Sequence, residues 1–200
     1  MTEYVSAVGV RRTVATRVGP PAAWWGMVIL IASEGMLFAA FVGTYYYLRF
    51  TAPAWPPDGI DPPKVLVPAI LVACLVATSI PMRAAWLAAR AGRVAATRLF
   101  VLCALVVQCG YFAYELHDFG DQLNKVAITR DAYSSIYYTL LGADHAHVAL
   151  GILFNLWLLG KLARGLTIYR VNAVQAIALY WYAVNVITIV VIATLLSARG

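Results

Sequence analysis

A carboxylic acid and two imidazoles fall within Asp144-His145-Ala146-His147, inside an otherwise apolar run. Groups of these types can carry protons, ligate metals or satisfy one another through hydrogen bonds. Asp144 and His147 are three residues apart and would share one face of a helix, whereas His145 and His147 point to opposite sides. One helix therefore cannot offer both imidazoles to a single metal ion. A further acid, Glu34, lies within a second run of about 25 apolar residues, Trp24 to Leu48. That run is long enough to cross a bilayer. An ionisable group near its middle costs roughly 2.5–3.5 kcal/mol on insertion, so it needs a partner or a use.

The segment Asp144–His147 begins about ten residues in from one end of its run, roughly 15 Å deep at 1.5 Å per residue. Glu34 falls at a similar depth. Gly142, Ala146 and Ala149 form a small-residue stripe beside the histidines, and Ala39 with Gly43 forms another beside Glu34. Such stripes allow helices to approach closely. The expectation is that Glu34 meets the face carrying Asp144 and His147, with acid and imidazole satisfying each other and Asp144 sharing a proton or finding a further partner. Two uses follow from this placement. One is proton or lipid handling; the other is helix packing alone, in which such hydrogen bonds average about 0.6 kcal/mol.

A haem held by two histidines needs one ligand on each of two helices at matched depth. His117 is expected at the outer end of its helix while His145 and His147 lie deep, so no haem, copper or other metal site is expected in this chain. Glu115, His117 and Asp118 read together as a solvated helix end. Tyr180-Trp181-Tyr182, near Asn185, lies well inside an apolar run and suggests contact with protein or ordered lipid tails. Tyr45, Tyr46, Tyr47, Tyr137, Tyr138, Trp24 and Trp25 read as interfacial aromatic belts.

The elements that must position these groups are helices. With 62% hydrophobic and 12% charged residues, the chain lies far from soluble composition. Five spans are expected at about 24–48, 66–89, 97–116, 133–160 and 173–197, making an all-α, polytopic bundle. Pro53, Pro56, Pro57, Gly59, Pro62 and Pro63 separate the first two, while Pro68 and Pro81 are read as lying near the two ends of the second. Residues 1–22 read as a cytoplasmic segment and 23–200 as a single membrane domain. Arg11, Arg12, Arg17, Arg83, Arg90, Arg93, Arg98, Lys161, Arg164 and Arg170 gather on the N-terminal side, against Arg49, Lys64, Lys125, Arg130 and Arg199 opposite. The opposite side also carries Asp58, Asp61, Asp118, Asp121 and Asp131. The basic excess places the N-terminus in the cytoplasm and the C-terminus in the periplasm. The net charge of +6 therefore reads as topology, not as nucleic-acid binding. The first apolar run is too long for a signal-peptide core and carries Glu34, so it reads as a retained helix. Cys74, Cys103 and Cys109 are expected as buried structural thiols, since none forms a C-x-x-C pair.

The order of these pieces resembles subunit III of the haem–copper respiratory oxidases, the cytochrome c oxidase type. Trp25-Gly-Met-x3-Ile31-x-Ser33-Glu34-x-Met36-x-Phe38 is similar to the family's helix with a buried glutamate, and Trp55-Pro56-Pro57-Asp58-Gly59 to the turn after it. Tyr138-x3-Gly142, His147-Val148-x2-Gly151 and Tyr180-Trp181 resemble the family's patterns in the last two spans. The chain departs from those patterns where Asp144 and His145 replace a histidine and a glycine. It departs again where Tyr182 and Asn185 replace His and Asp, and at Phe112, Gln175 and Thr188, while Glu115 is kept. The resemblance implies the short five-helix bacterial form, in the inner membrane, with no catalytic or redox centre of its own. It implies packing on subunit I within a complex that also holds subunit II, haem and copper in those partners, and bound phospholipid. Support of O2 access and of proton uptake follows in the same way, as does a place for a respiratory supercomplex. Glu34, His147 and Asp144 are the candidate site, with Glu115, His145 and Asn185 secondary. The alternatives are the related accessory subunit of a nitric oxide reductase, a quinol oxidase subunit, or a stand-alone proton channel or transporter.

Overall fold

The computed structural model describes residues 20–60 and 65–199, excluding the side chain of Arg199. Arg11, Arg12 and Arg17 of the N-terminal segment, and Asp61, Pro62, Pro63 and Lys64 of the first connection, lie outside the described residues.

Apolar runs that must satisfy every backbone group internally fold as helices. They do so at α1 (Ala22–Thr51), α2 (Leu66–Ala77), α3 (Ser79–Arg90), α4 (Val94–Lys125), α5 (Ala132–Leu162) and α6 (Ile168–Leu196), followed by a short 3-10 turn, Ser197–Arg199. Five helical stretches are long and apolar enough to cross a membrane, α2 and α3 together making one of them, Leu66–Arg90. The all-helical, five-span expectation therefore holds.

Sequence chemistry sets the ends. Asp131 caps α5 by accepting a hydrogen bond from the Ser134 backbone N–H at 2.7 Å, and Thr167 caps α6. Gly92 and Gly165, with φ of 70° and 86°, turn the chain after α3 and α5. Arginines add hydrogen bonds to carbonyls at and just beyond the end of α5: Arg98 Nε donates to Leu162 O at 3.1 Å, and Arg170 Nη1 to Gly165 O at 2.7 Å. In the Trp-Pro-Pro-Asp-Gly connection, Gly59 takes φ of 81°, and Trp55 Nε1 donates to the Tyr45 hydroxyl at 3.0 Å.

α6 is the most enclosed span and α1 the least. α6 packs on α1, α2, α3 and α5; α4 packs on α2, α3 and α5; α1 touches α5 and α6. α5 and α6 cross closely where Gly151 meets Trp181. A Cβ on Gly151 would lie 2.6 Å from the indole, so only hydrogen fits there.

Four expectations change. The second span is not continuous but breaks at Thr78, the residue between α2 and α3. Pro81, without an N–H, cannot donate to the Ala77 carbonyl, and Thr78 Oγ1 bonds back to Leu75 O at 2.6 Å. α4 runs on to Lys125, nine residues past the expected end at 116, because hydrogen bonds such as Gln122 to Asp118 continue the helix beyond the apolar run. The three cysteines face outward instead of being buried, as small apolar side chains are tolerated on a lipid- or partner-facing surface. Tyr45 and Tyr138 are buried and hydrogen-bonded, not part of an interfacial belt; Tyr47 and Trp25 are exposed.

Candidate functional site

α5 carries its polar residues at the middle of its length and distributes them to three neighbouring helices. His147 turns toward α1. Its Nε2 lies 2.9 Å from Glu34 Oε2, while its Nδ1 lies 2.7 Å from the carbonyl of Ala143 one turn back. A carbonyl can only accept, so Nδ1 carries a hydrogen. That fixes the chemistry of the other nitrogen: a single proton sits between Nε2 and the carboxyl, on one partner or the other. Either arrangement leaves the pair with no net charge, which is what a low-dielectric environment demands. The Phe38 ring packs edge-on against the imidazole, with centroids 5.0 Å apart, and the Tyr180 hydroxyl donates to His147 O at 2.9 Å. Glu34 retains 28% side-chain exposure, so the pair sits at the bundle's flank and not at its centre.

Asp144 is not part of that contact. It is 1% exposed and turns toward α6, where Thr188 Oγ1 donates to Asp144 Oδ1 at 2.8 Å. Residues three apart are offset by about 60° around a helix, and on α5 that is enough to send two neighbours to different partners. Of the two expectations for Asp144, sharing the proton of the pair or finding a further partner, the structure shows the second. Asp144 finds a hydroxyl, supplied by one of the positions where this chain departs from the oxidase pattern.

His145 points to the opposite side, toward α4. Its Nδ1 bonds to Leu141 O at 2.5 Å, and its Nε2 faces Glu115 Oε2 at 3.7 Å. Glu115 is 7% exposed, so the reading of a solvated helix end is corrected: three more turns of α4 follow it, and α5 covers it. His117 does face solvent, at 79% side-chain exposure, beside Asp121.

Asn185 donates from Nδ2 to Ser79 Oγ at 2.8 Å, tying α6 to the first turn of α3. Beside it lies a polar cluster that sequence reasoning passed over. Gln108 Nε2 donates to Thr78 Oγ1 at 3.3 Å, and Asn155 Nδ2 donates to Gln108 Oε1 at 2.7 Å. Gln108 and Asn155 are both fully enclosed. They fill the break between α2 and α3 with amide hydrogen bonds. Their signal was available: a lone amide in an apolar run is costly for the same reason as Glu34.

Among the described residues, no group of three or more His, Cys, Asp or Glu side chains is placed to hold a metal ion. The arrangement is a set of paired polar groups linking helices: α1 to α5, α5 to α6, α4 to α5, and α3 to α6.

Residues 11–196 match the family described as cytochrome c oxidase subunit III. The chain belongs to that family. It is 25% identical to cytochrome c oxidase subunit 3 of Synechocystis over 173 residues, covering 86% of this chain and 73% of the relative. The cytochrome c oxidase subunit 3 of Bacillus subtilis is 26% identical across 81% of this chain and 79% of its own length. A quinol oxidase subunit 3, also of Bacillus subtilis, is 25% identical across 82% of this chain and 81% of that protein. As a member of the subunit III family, the chain is an accessory subunit of the haem–copper oxidase type and a multi-pass membrane protein. Glu34 and His147, which lie in two of the motifs that carried the resemblance, are the residues that meet at 2.9 Å.

Proposed function

We propose that this chain is the non-redox subunit III of a bacterial, proton-pumping terminal oxidase of the cytochrome c type. It packs on the catalytic subunit I, in a complex with subunit II, within the inner membrane. Residues 23–200 form one membrane domain, with the N-terminus in the cytoplasm and the C-terminus in the periplasm. Haem and copper belong to the partner subunits, and this chain binds phospholipid, supports O2 access and sustains proton uptake. The observation that carries the reading is the 2.9 Å contact between Glu34 Oε2 and His147 Nε2, formed by motif residues of the matched family and joining the outlying α1 to the rest of the bundle. A group able to hold a proton at mid-membrane depth without net charge suits a subunit that steadies proton traffic in its neighbour.

A quinol-oxidizing complex is the second reading, favoured by the similarity to a quinol oxidase subunit 3. Purification through a tag on this chain in mild detergent, followed by an absorbance spectrum and subunit identification, tests both. Co-purification with a larger haem- and copper-bearing chain is the expected result, and oxidation of reduced cytochrome c or of quinol by that complex assigns the donor. A colourless, isolated five-span protein would overturn the proposal.

A further inference from the structure

The two acid–imidazole pairs on α5 differ in a way that assigns them different tasks. Glu34 and His147 bond directly, whereas Glu115 and His145 stop at 3.7 Å, too long for a hydrogen bond. Both side chains of the second pair are 9% exposed, and His145 Nε2 has no partner among the described protein atoms. With Nδ1 committed to Leu141 O, Nε2 of the neutral ring is a lone pair aimed at Glu115.

Glu115 also forms part of the wall of a cavity of about 580 Å³ at the end of the bundle that carries the α4–α5 connection. A second orphaned atom, the enclosed Ser134 hydroxyl, belongs to a residue lining the same cavity. Apolar cavities stay dry, but a roomy one with several unpaired polar groups takes up water. α2 and α6 give it apolar walls through Val67, Pro68, Leu71, Ile192 and Leu195. The titratable groups around the pair come from the other two helices: Tyr111, Tyr114 and Asp118 on α4, and Tyr133, Tyr137, Tyr138 and Asp144 on α5. Lys125 and Arg130, both exposed, line the cavity where α4 ends and the α4–α5 connection follows.

We infer that this cavity is filled by water and that Glu115 with His145 forms a proton-exchanging site at its inner end, open to the aqueous phase at that end of the bundle. A proton arriving on cavity water passes to Glu115 Oε2, or through a bridging water to His145 Nε2, and leaves by the same route; no other bond is made or broken. Phe112 and Phe119 lie beside the imidazole, with ring centroids 6.3 and 5.4 Å from it. The inference stands apart from the proposed oxidase role, because it depends only on the cavity and the open pair.

The test uses the purified complex in lipid nanodiscs, treated with a water-soluble carbodiimide and an amine, with modification read residue by residue by mass spectrometry. Asp121, 55% exposed on α4 and outside the cavity wall, is the internal control. Glu115 should be modified at a rate close to that of Asp121. Glu34, bonded through Oε2 to His147 and away from the cavity, should lag at least about tenfold behind Glu115. Leu71→Trp, which fills the cavity, should slow Glu115 by about tenfold and leave Asp121 unchanged. Modification of Asp121 with Glu115 untouched, or a Glu115 rate that Leu71→Trp does not change, would overturn the inference.

Discussion

At the scale of single residues, the hydrogen on His147 Nδ1 settles what substitutions at Glu34 can do. Glu34→Gln offers an amide N–H to the Nε2 lone pair, so the bridge survives without its mobile proton. The variant should assemble and melt like the parent within about 1 kcal/mol, the span of a single net hydrogen bond. Loss of sustained turnover in such a variant then reports the proton and not the packing. Glu34→Leu leaves Nε2 unpaired and should destabilise by about 1–3 kcal/mol, read as a lower melting temperature of the purified complex. Thr188→Val removes the hydroxyl donor that reaches Asp144 Oδ1 and should cost a similar amount, about 1–3 kcal/mol, with Thr188→Ser restoring most of it. Glu34 and His147 were legible as partners because each is expensive in an apolar run and they lie at matched depth. The partner of Asp144 was not legible. A turn of about 60° on one helix decides between two neighbours, and the arrangement of those neighbours is a property of the assembled bundle. The cysteines left no signal, since a thiol on a lipid-facing surface carries no cost that a sequence could reveal.

The helices add constraints that no pair of residues explains. Gly151 lets α5 and α6 approach until the Trp181 ring fills the place of a side chain. Gly151→Ala should destabilise the bundle by about 1–3 kcal/mol through overpacking, and Trp181→Phe, by shrinking the ring, should recover part of that loss in the double variant. The break at Thr78 makes a second case. Gln108→Leu strands Asn155, whereas Gln108→Leu with Asn155→Leu removes both amides together. The double variant should therefore melt above the temperature expected from adding the single losses, because an unpaired buried amide costs more than an absent one. Element boundaries explain the misplacement of Glu115. The apolar run ends near Leu116, but the helix continues on hydrogen bonds between polar side chains, leaving Glu115 about ten residues inside it. Hydropathy reports where a helix meets lipid, and it is silent on where the helix stops. Pro81 was visible, yet its consequence depended on lying past the middle of the Leu66–Arg90 span and beside a buried amide pair.

The whole molecule is a bundle with a sheltered α6 and an outlying α1, and the outlying helix is tied in by the only acid–imidazole contact that closes at hydrogen-bond distance among the described residues. Such a body carries, on three of its helices, groups that can hold protons: Glu34 on α1, Glu115 on α4, and Asp144, His145 and His147 on α5. The most direct measurement compares the complete oxidase with the same complex lacking this chain, scoring haem and copper per complex, initial turnover, and the number of turnovers before activity decays. The account predicts unchanged haem and copper, a retained initial rate, and a shortened active lifetime. Loss of haem or copper in step with loss of this chain, or an unaltered lifetime without it, would contradict the account.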